Sequence, residues 1–279
     1  MKRIAWVVVT TAVVAGLAQA ADPAAATAPA EPAAVKVESR VFSSKASAGE
    51  SLPYLVVKPA NWDAKKTYPL LVFLHGEDER GTDNQLQVKW AGAWLERAVR
   101  VYGAVVIAPQ CPKDSRWVEV DMGLPAHDMP KEMSRPMRLL FELLGGVEKE
   151  FSIDPARRFI AGYSMGGFGV WDALCRRPDY FAAALAICGG GDEKQAPSIA
   201  KIPVWAYHGA IDTVVPPSRS RNMVEALTKA GGKPKYSEYP GFDHSAIWVR
   251  LFSEKEPLRW LLKKHPAAGA KAASKPASP

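Results

Sequence analysis

Cysteine is scarce in this chain: Cys111, Cys175 and Cys188 are the three in 279 residues. A small odd number excludes a disulfide scaffold and leaves at least one thiol unpaired within the chain. Their spacing matches no zinc-ligand pattern. Cys175 falls in an apolar helical stretch and reads as a small core residue, while a Cys111–Cys188 bridge stays open. A Gly-rich phosphate loop and an H-E-x-x-H pair are also missing, so neither nucleotide nor metal chemistry has a signature and no cofactor is expected. Lys and Arg outnumber Asp and Glu by 36 to 29, but Lys2 and Arg3 lie at one end and Lys263, Lys264, Lys271 and Lys275 at the other. Without a basic stripe interleaved with aromatics, nucleic acid is excluded as a partner. Internal repeats are absent as well.

A long apolar run occurs once, from Ile4 to about Leu17, after Lys2 and Arg3 and before Ala18-Gln19-Ala20. A basic start, an apolar middle and an A-x-A ending make the plan of a secretory signal peptide cleaved before Ala21. The run is short for a spanning helix, which needs about 20 residues, so no stable membrane span is expected after cleavage. The expected location is the periplasm or the outside of the cell. Four segments follow: a signal peptide at 1–20, a flexible Ala/Pro-rich leader at 21–37, an α/β domain at 38–264 and a disordered tail at 265–279.

Within the body, short β-type runs such as "LLVFL", "AVVIAP", "RFIAG", "AAALAIC" and "PVWAYH" are separated by segments of helical period: Gln85 to Tyr102, Glu132 to Phe151, Met165 to Pro178 and Ser218 to Gly232. Continuous apolar strands alternating with helices predict a mostly parallel sheet of about eight strands with helices on both faces. "RVFSS" and "LPYLVVK", joined by a turn-rich link, predict an antiparallel hairpin at one edge. In such open sheets ligands bind beyond the carboxyl ends of the strands.

Reading those ends, a serine, an acid and a histidine appear in the order Ser164, Asp212, His244. Ser164 stands in Gly162-Tyr163-Ser164-Met165-Gly166, between an apolar strand and a helix, where a sharp turn exposes the hydroxyl and needs small neighbours. A serine hydroxyl needs a base, for which His244 is the candidate, and Asp212 would hold its tautomer. Asp192 and Asp243 are alternative acids. The N–H groups of Met165 and of Glu77, after His75-Gly76, are the candidate oxyanion donors. His75 and His208 read as loop-shaping residues. A weakly periodic excursion at 113–136 carries His127 and Trp117 and reads as a lid or one wall of a substrate site; Trp117 and Trp248 are candidate substrate contacts, and Trp171 a core residue.

The order of "LHGEDERG", "APQCP", "GYSMGGFGVWDAL", "ICGGGD", "WAYHGAIDTVVP" and "YPGFDHSAIW" resembles the α/β-hydrolase superfamily, over roughly Ser51 to Leu262. The nearer resemblance is to its exported esterase branch of poly-hydroxybutyrate depolymerase-like and feruloyl or acetyl-xylan esterase-like proteins, some described as predicted peptidases. That resemblance implies a serine carboxylic-ester hydrolase with Ser164 as nucleophile, Asp212 as acid, His244 as base, the Glu77 and Met165 amides as oxyanion hole, and a small-molecule or polymer ester as substrate. A prolyl-oligopeptidase-type peptidase or a non-catalytic binding module are the competing readings. Relatives carry small residues after His-Gly, where this chain has Glu77-Asp78-Glu79, carboxylates that would tune or hinder an anionic substrate. Oligomeric state has no signature in the sequence.

Overall fold

The structure, a computed structural model, describes residues 34–263. The expected signal peptide, most of the leader and the tail lie outside the described residues. Eight strands form one sheet in the order β1-β2-β4-β3-β5-β6-β7-β8: β1 (Val35–Ser43), β2 (Ser51–Pro59), β3 (Tyr68–Leu74), β4 (Val105–Pro109), β5 (Ile153–Tyr163), β6 (Ala183–Ile187), β7 (Val204–Gly209) and β8 (Lys235–Tyr239). β1 and β2 make the edge hairpin, in register from Val35 opposite Pro59 to Ser43 opposite Ser51. β2 runs antiparallel to β4, and the pairs from β4 to β8 are parallel. β1 begins at Val35, inside the stretch expected to belong to the leader; Val37 and Val41, though exposed, alternate along a strand fully paired with β2 and so take the extended form.

Alternation along each strand sorts side chains onto two faces. Leu70, Val72 and Leu74 of β3, with Ile107 and Ile160, meet α2 (Arg135–Glu150), α3 (Met165–Arg176) and α5 (Ser218–Lys229). Leu71 and Phe73, with Val106, Phe159 and Leu185, meet α1 (Gly92–Tyr102), α6 (His244–Ser253) and α7 (Glu256–Lys263). Each fully buried Leu or Phe there contributes about 1.5–3 kcal/mol. The helices present apolar stripes at i, i+4 and i+7, as with Leu140, Leu144 and Val147 in α2, which is why helical period was readable in that segment.

Local signals fix the helix ends. Ser134 caps α2 by accepting from the Met137 N–H, Pro136 stands in its first turn, and Gly103 ends α1 at φ 65°. The structure adds α6, α7 and the short α4 (Ala196–Ile199), which the periodicity did not point to. Cys111, Cys175 and Cys188 are all free, so the open Cys111–Cys188 bridge is not made. Among the described residues no helix is long and apolar enough to cross a membrane.

Candidate active site

Ser164 joins the end of β5 to the start of α3 with φ 55° and ψ −124°. A non-glycine residue held there stores about 1–3 kcal/mol of backbone strain. Its N–H donates to the Ile187 oxygen at 2.9 Å and its C=O accepts from Phe168 N–H at 3.1 Å, so sheet and helix together impose the turn. The flanking glycines are required by contact: a Cβ on Gly162 would lie 2.5 Å from the Gly166 oxygen, and one on Gly166 would fall against the Leu74 carbonyl.

Three side chains converge on the outcome of that turn. Ser164 Oγ stands 2.8 Å from His244 Nε2, and His244 Nδ1 stands 2.6 Å from Asp212 Oδ2. Since the carboxylate only accepts, Nδ1 carries the proton and Nε2 is left to accept from the serine hydroxyl. His244 is the first residue of α6, and Asp243 caps that helix by accepting from the Ser245 and Ala246 N–H groups. Asp243 is therefore engaged away from the ring. Asp192 likewise accepts from the N–H groups of Met129 and Lys194. Of the three candidate acids, the structure brings Asp212 to His244.

Asp212 Oδ1 accepts from the Val214 and Val215 N–H groups, both at 2.9 Å. Burial pushes its pKa up, but hydrogen bonds from His208, His244 and the Val215 N–H, with the charge of His244, outweigh that and hold the carboxyl well below its usual range. Cys188 Sγ completes a group whose potential ligand atoms lie within 4.8 Å of Asp212 and His244. Burial, with Asp212 nearby, pushes that thiol far up. With the carboxylate oxygens occupied by N–H groups and the thiol held neutral, the set is poorly suited to a cation.

Beside Ser164 opens a cleft of about 370 Å³ lined by Glu77, Arg116, Asp121, Met122, Gly123, Val214 and Val215. Met165 begins α3 and Glu77 begins a 3₁₀ turn (Glu77–Glu79), so both N–H groups lie at helix starts, where no intrahelical acceptor exists. Glu77 Oε1 is paired with Arg80 at 3.0 Å and Arg116 at 3.2 Å, and the buried Glu79 accepts from Trp90 Nε1 at 3.0 Å. Of the three loop carboxylates, Glu77 is thus charge-paired by two arginines and Glu79 is held by a neutral indole, so the repulsion an anion would meet from Glu77 is reduced.

The excursion does supply one wall, through Asp121, Met122 and Gly123. It is pinned at several points: Arg176 Nη2 donates to the Pro130 oxygen at 2.7 Å, Ser134 Oγ to the Trp117 oxygen at 2.7 Å, and buried Arg219 to His127 Nδ1. The two tryptophans proposed as substrate contacts are elsewhere. Trp117 is fully buried, its Nε1 donating to the His75 oxygen at 3.1 Å, because an indole in a loop that crosses the core gains more by packing than by facing water. Trp248 packs edge-on against His244 at 5.0 Å and on Tyr163 at 4.9 Å, so it buttresses the imidazole and is not among the residues that line the cleft. Trp171 is core, as expected. His75 and His208 are buried: His75 Nδ1 meets the Gly76 oxygen and its Nε2 accepts from Cys111 N–H, while His208 meets Val215 and Ser220. Sequence reading missed Arg116 and Val215; the latter stood in "DTVVP" right after the acid, and Arg116 had no signal.

The chain matches the model of the Esterase family, described as "Putative esterase", over residues 45–197. It is 24% identical over 215 residues to the "Probable feruloyl esterase C" of Aspergillus oryzae, covering 75% of this chain and 73% of that protein. A bifunctional acetylxylan esterase/xylanase of Neocallimastix patriciarum is 25% identical over 162 residues, and there the chain spans only 20% of the relative's length. Among solved structures, a thermostable esterase superposes with a TM-score of 0.75 at 35% identity, over 82% of this chain and 63% of that one. A ferulic acid esterase does so at 0.60 and 20% identity, over 82% and 96%, a likeness of fold. The resemblance drawn from the strand-end motifs holds at the level of family and fold: the chain belongs to the Esterase family and has the α/β-hydrolase fold.

Proposed function

We propose that this protein is an exported serine esterase that cleaves carboxylic esters through an acyl-enzyme on Ser164. The hydrogen-bonded line from Ser164 through His244 to Asp212, ending at an open cleft, is the observation that carries the reading. As Ser164 Oγ attacks the ester carbonyl, His244 Nε2 takes its proton, and the buried Asp212 carboxylate stabilises the imidazolium. Charge develops on the carbonyl oxygen, where the Met165 and Glu77 N–H groups receive it; one such donor is worth about 3–4 kcal/mol of transition-state stabilisation. The alcohol leaves with the proton from His244, and water repeats the sequence on the acyl group. The strain at Ser164 keeps Oγ presented to both partners before substrate arrives.

The cleft mixes Glu77, Arg116 and Asp121 with Met122, Val214 and Val215. Such a lining suits a hydroxylated alcohol portion with a short or aromatic acyl group, and we assign carbohydrate-linked acetyl or feruloyl esters, or polyester fragments, as the substrate class. Export rests on the basic, apolar and A-x-A plan of residues 1–20. Two experiments test the reading. A fluorophosphonate should add to native protein at Ser164 and fail to add to Ser164→Ala; an adduct that persists in the variant overturns the assignment. Nitrophenyl acetate, acetylated xylan and methyl ferulate should all turn over faster than a peptide amide, and the reverse order would make the protein a peptidase.

A further inference from the structure

We infer that His208 is a second histidine acting on the acid of the site, a positioning residue that fixes the Asp212 carboxylate; the inference rests on the serine-esterase reading. His208 is the last residue but one of β7 and is fully buried, four residues before Asp212. Its Nε2 lies 3.0 Å from the Val215 oxygen and 3.3 Å from Asp212 Oδ2. A carbonyl and a carboxylate both only accept, so Nε2 must carry hydrogen. Its Nδ1 lies 2.7 Å from Ser220 Oγ, which itself reaches the Gly189 oxygen at 3.1 Å. The ring is therefore clamped from α5 on one side and aims one N–H at Asp212 from the other.

The consequence appears in the four acceptor positions of Asp212. Oδ1 takes the Val214 and Val215 N–H groups, and Oδ2 takes His244 at 2.6 Å and faces His208 Nε2 at 3.3 Å, whose hydrogen it shares with the Val215 oxygen. Held on both oxygens, the carboxylate is kept from rotating, and the lone pair facing His244 Nδ1 stays in line with Ser164. Both His208 and His244 help hold the Asp212 carboxyl well below its usual range against the opposing effect of burial. The same side chain also reaches Val215, which lines the cleft, so one ring ties the acid to the substrate wall. His75, equally buried at a strand end, makes no such contact: its two nitrogens are spent on Gly76 and Cys111.

Stereochemistry supplies the test. A glutamine amide reaches about as far as histidine Nε2, whereas an asparagine amide reaches only about as far as Nδ1. His208→Gln should keep kcat within a few-fold of wild type. His208→Asn, which preserves the Ser220 contact, and His208→Leu should each lower kcat about 10- to 100-fold with KM little changed, the scale of a hydrogen bond to a charged group. In an Asp212→Ala background the same substitutions should have no further effect, because the group they act through is gone. Equal kcat for His208→Gln and His208→Asn, or losses of the same size with and without Asp212, would overturn the inference. If His208→Leu does not fold, the Gln and Asn pair, checked by thermal melting, still decides. The underlying reading fails separately: Asp212→Ala would then leave kcat unchanged.

Discussion

Gly166→Ala places one methyl group where the chain has no room for it. Gly166 is the second residue of α3 and sits against the end of β3; a Cβ there would fall on the Leu74 carbonyl oxygen, 2.5 Å from the Leu74 carbonyl carbon and 2.7 Å from the His75 oxygen. All three atoms are backbone, so no rotamer relieves the clash, and α3 must move off β3 by about 1 Å or more to restore ordinary contact. The proposed oxyanion donors flank that contact: Met165 precedes Gly166, and Glu77 follows Leu74 by three residues. Moving one element widens the gap between the two amides, so the substitution should lose the worth of one donor, about 10²- to 10³-fold in kcat. Overpacking should cost a further 1–3 kcal/mol or so of stability. Gly146→Ala is the control, since that glycine is exposed in the middle of α2 with nothing within 4 Å of a Cβ; it should raise stability by about 0.5–1 kcal/mol and leave turnover alone. Urea midpoints and nitrophenyl acetate kinetics on the two variants are the assay. A Gly166→Ala protein with a wild-type midpoint and turnover within three-fold or so would refute the reasoning, because the amides would not depend on this contact.

Burial lowers the His75 pKa from 6.5 to about 4, and protonation would also displace the Cys111 N–H from Nε2. The folded state therefore binds fewer protons than the unfolded one across that interval, so stability conferred by neutral His75 is complete above pH 6.5 and is lost as pH falls through 4; urea denaturation at the two limits should differ by about 3 kcal/mol from this group, and a His75→Gln variant should lack that part of the slope. Burial also raises the thiols, Cys175 to about 12 and Cys188 far above its ordinary value, so Ellman's reagent at pH 8 should find almost no reactive thiol in native protein and all three in urea; fast native labelling would contradict the burial. Ser134→Ala removes both the α2 cap and the hydrogen bond to Trp117, and should lower stability by about 1–2 kcal/mol without altering the fluorophosphonate rate at saturation.

What could be read from the sequence, and what could not, follows from whether a residue's role is local. The sheet was legible because β3, β4, β6, β7 and the second half of β5 are buried on both faces and run as mostly apolar stretches, and the pattern changes to a helical period between them. α6 and α7 were not, since both pack few residues against the sheet: Ile247 and Leu251 in one, Leu258, Leu261 and Leu262 in the other. The sequence order of Ser164, Asp212 and His244 led to three side chains that the fold brings within hydrogen-bond reach, because each stands within a few residues of a strand's carboxyl end, where the topology gathers them. The tryptophans show the limit of the same reasoning. Position beyond a strand tells where a loop begins, but the direction of a large ring is decided by the space it finds: Trp117 found the core under His75, and Trp248, one turn into α6, found the flank of His244. The acid loop shows the opposite case. "HGAIDTVVP" reads as a turn carrying one acid, yet its first residue, its acid and the two valine amides close on one another, so one short stretch fixes the surroundings of the carboxylate that meets His244, an arrangement no local pattern of residues announces.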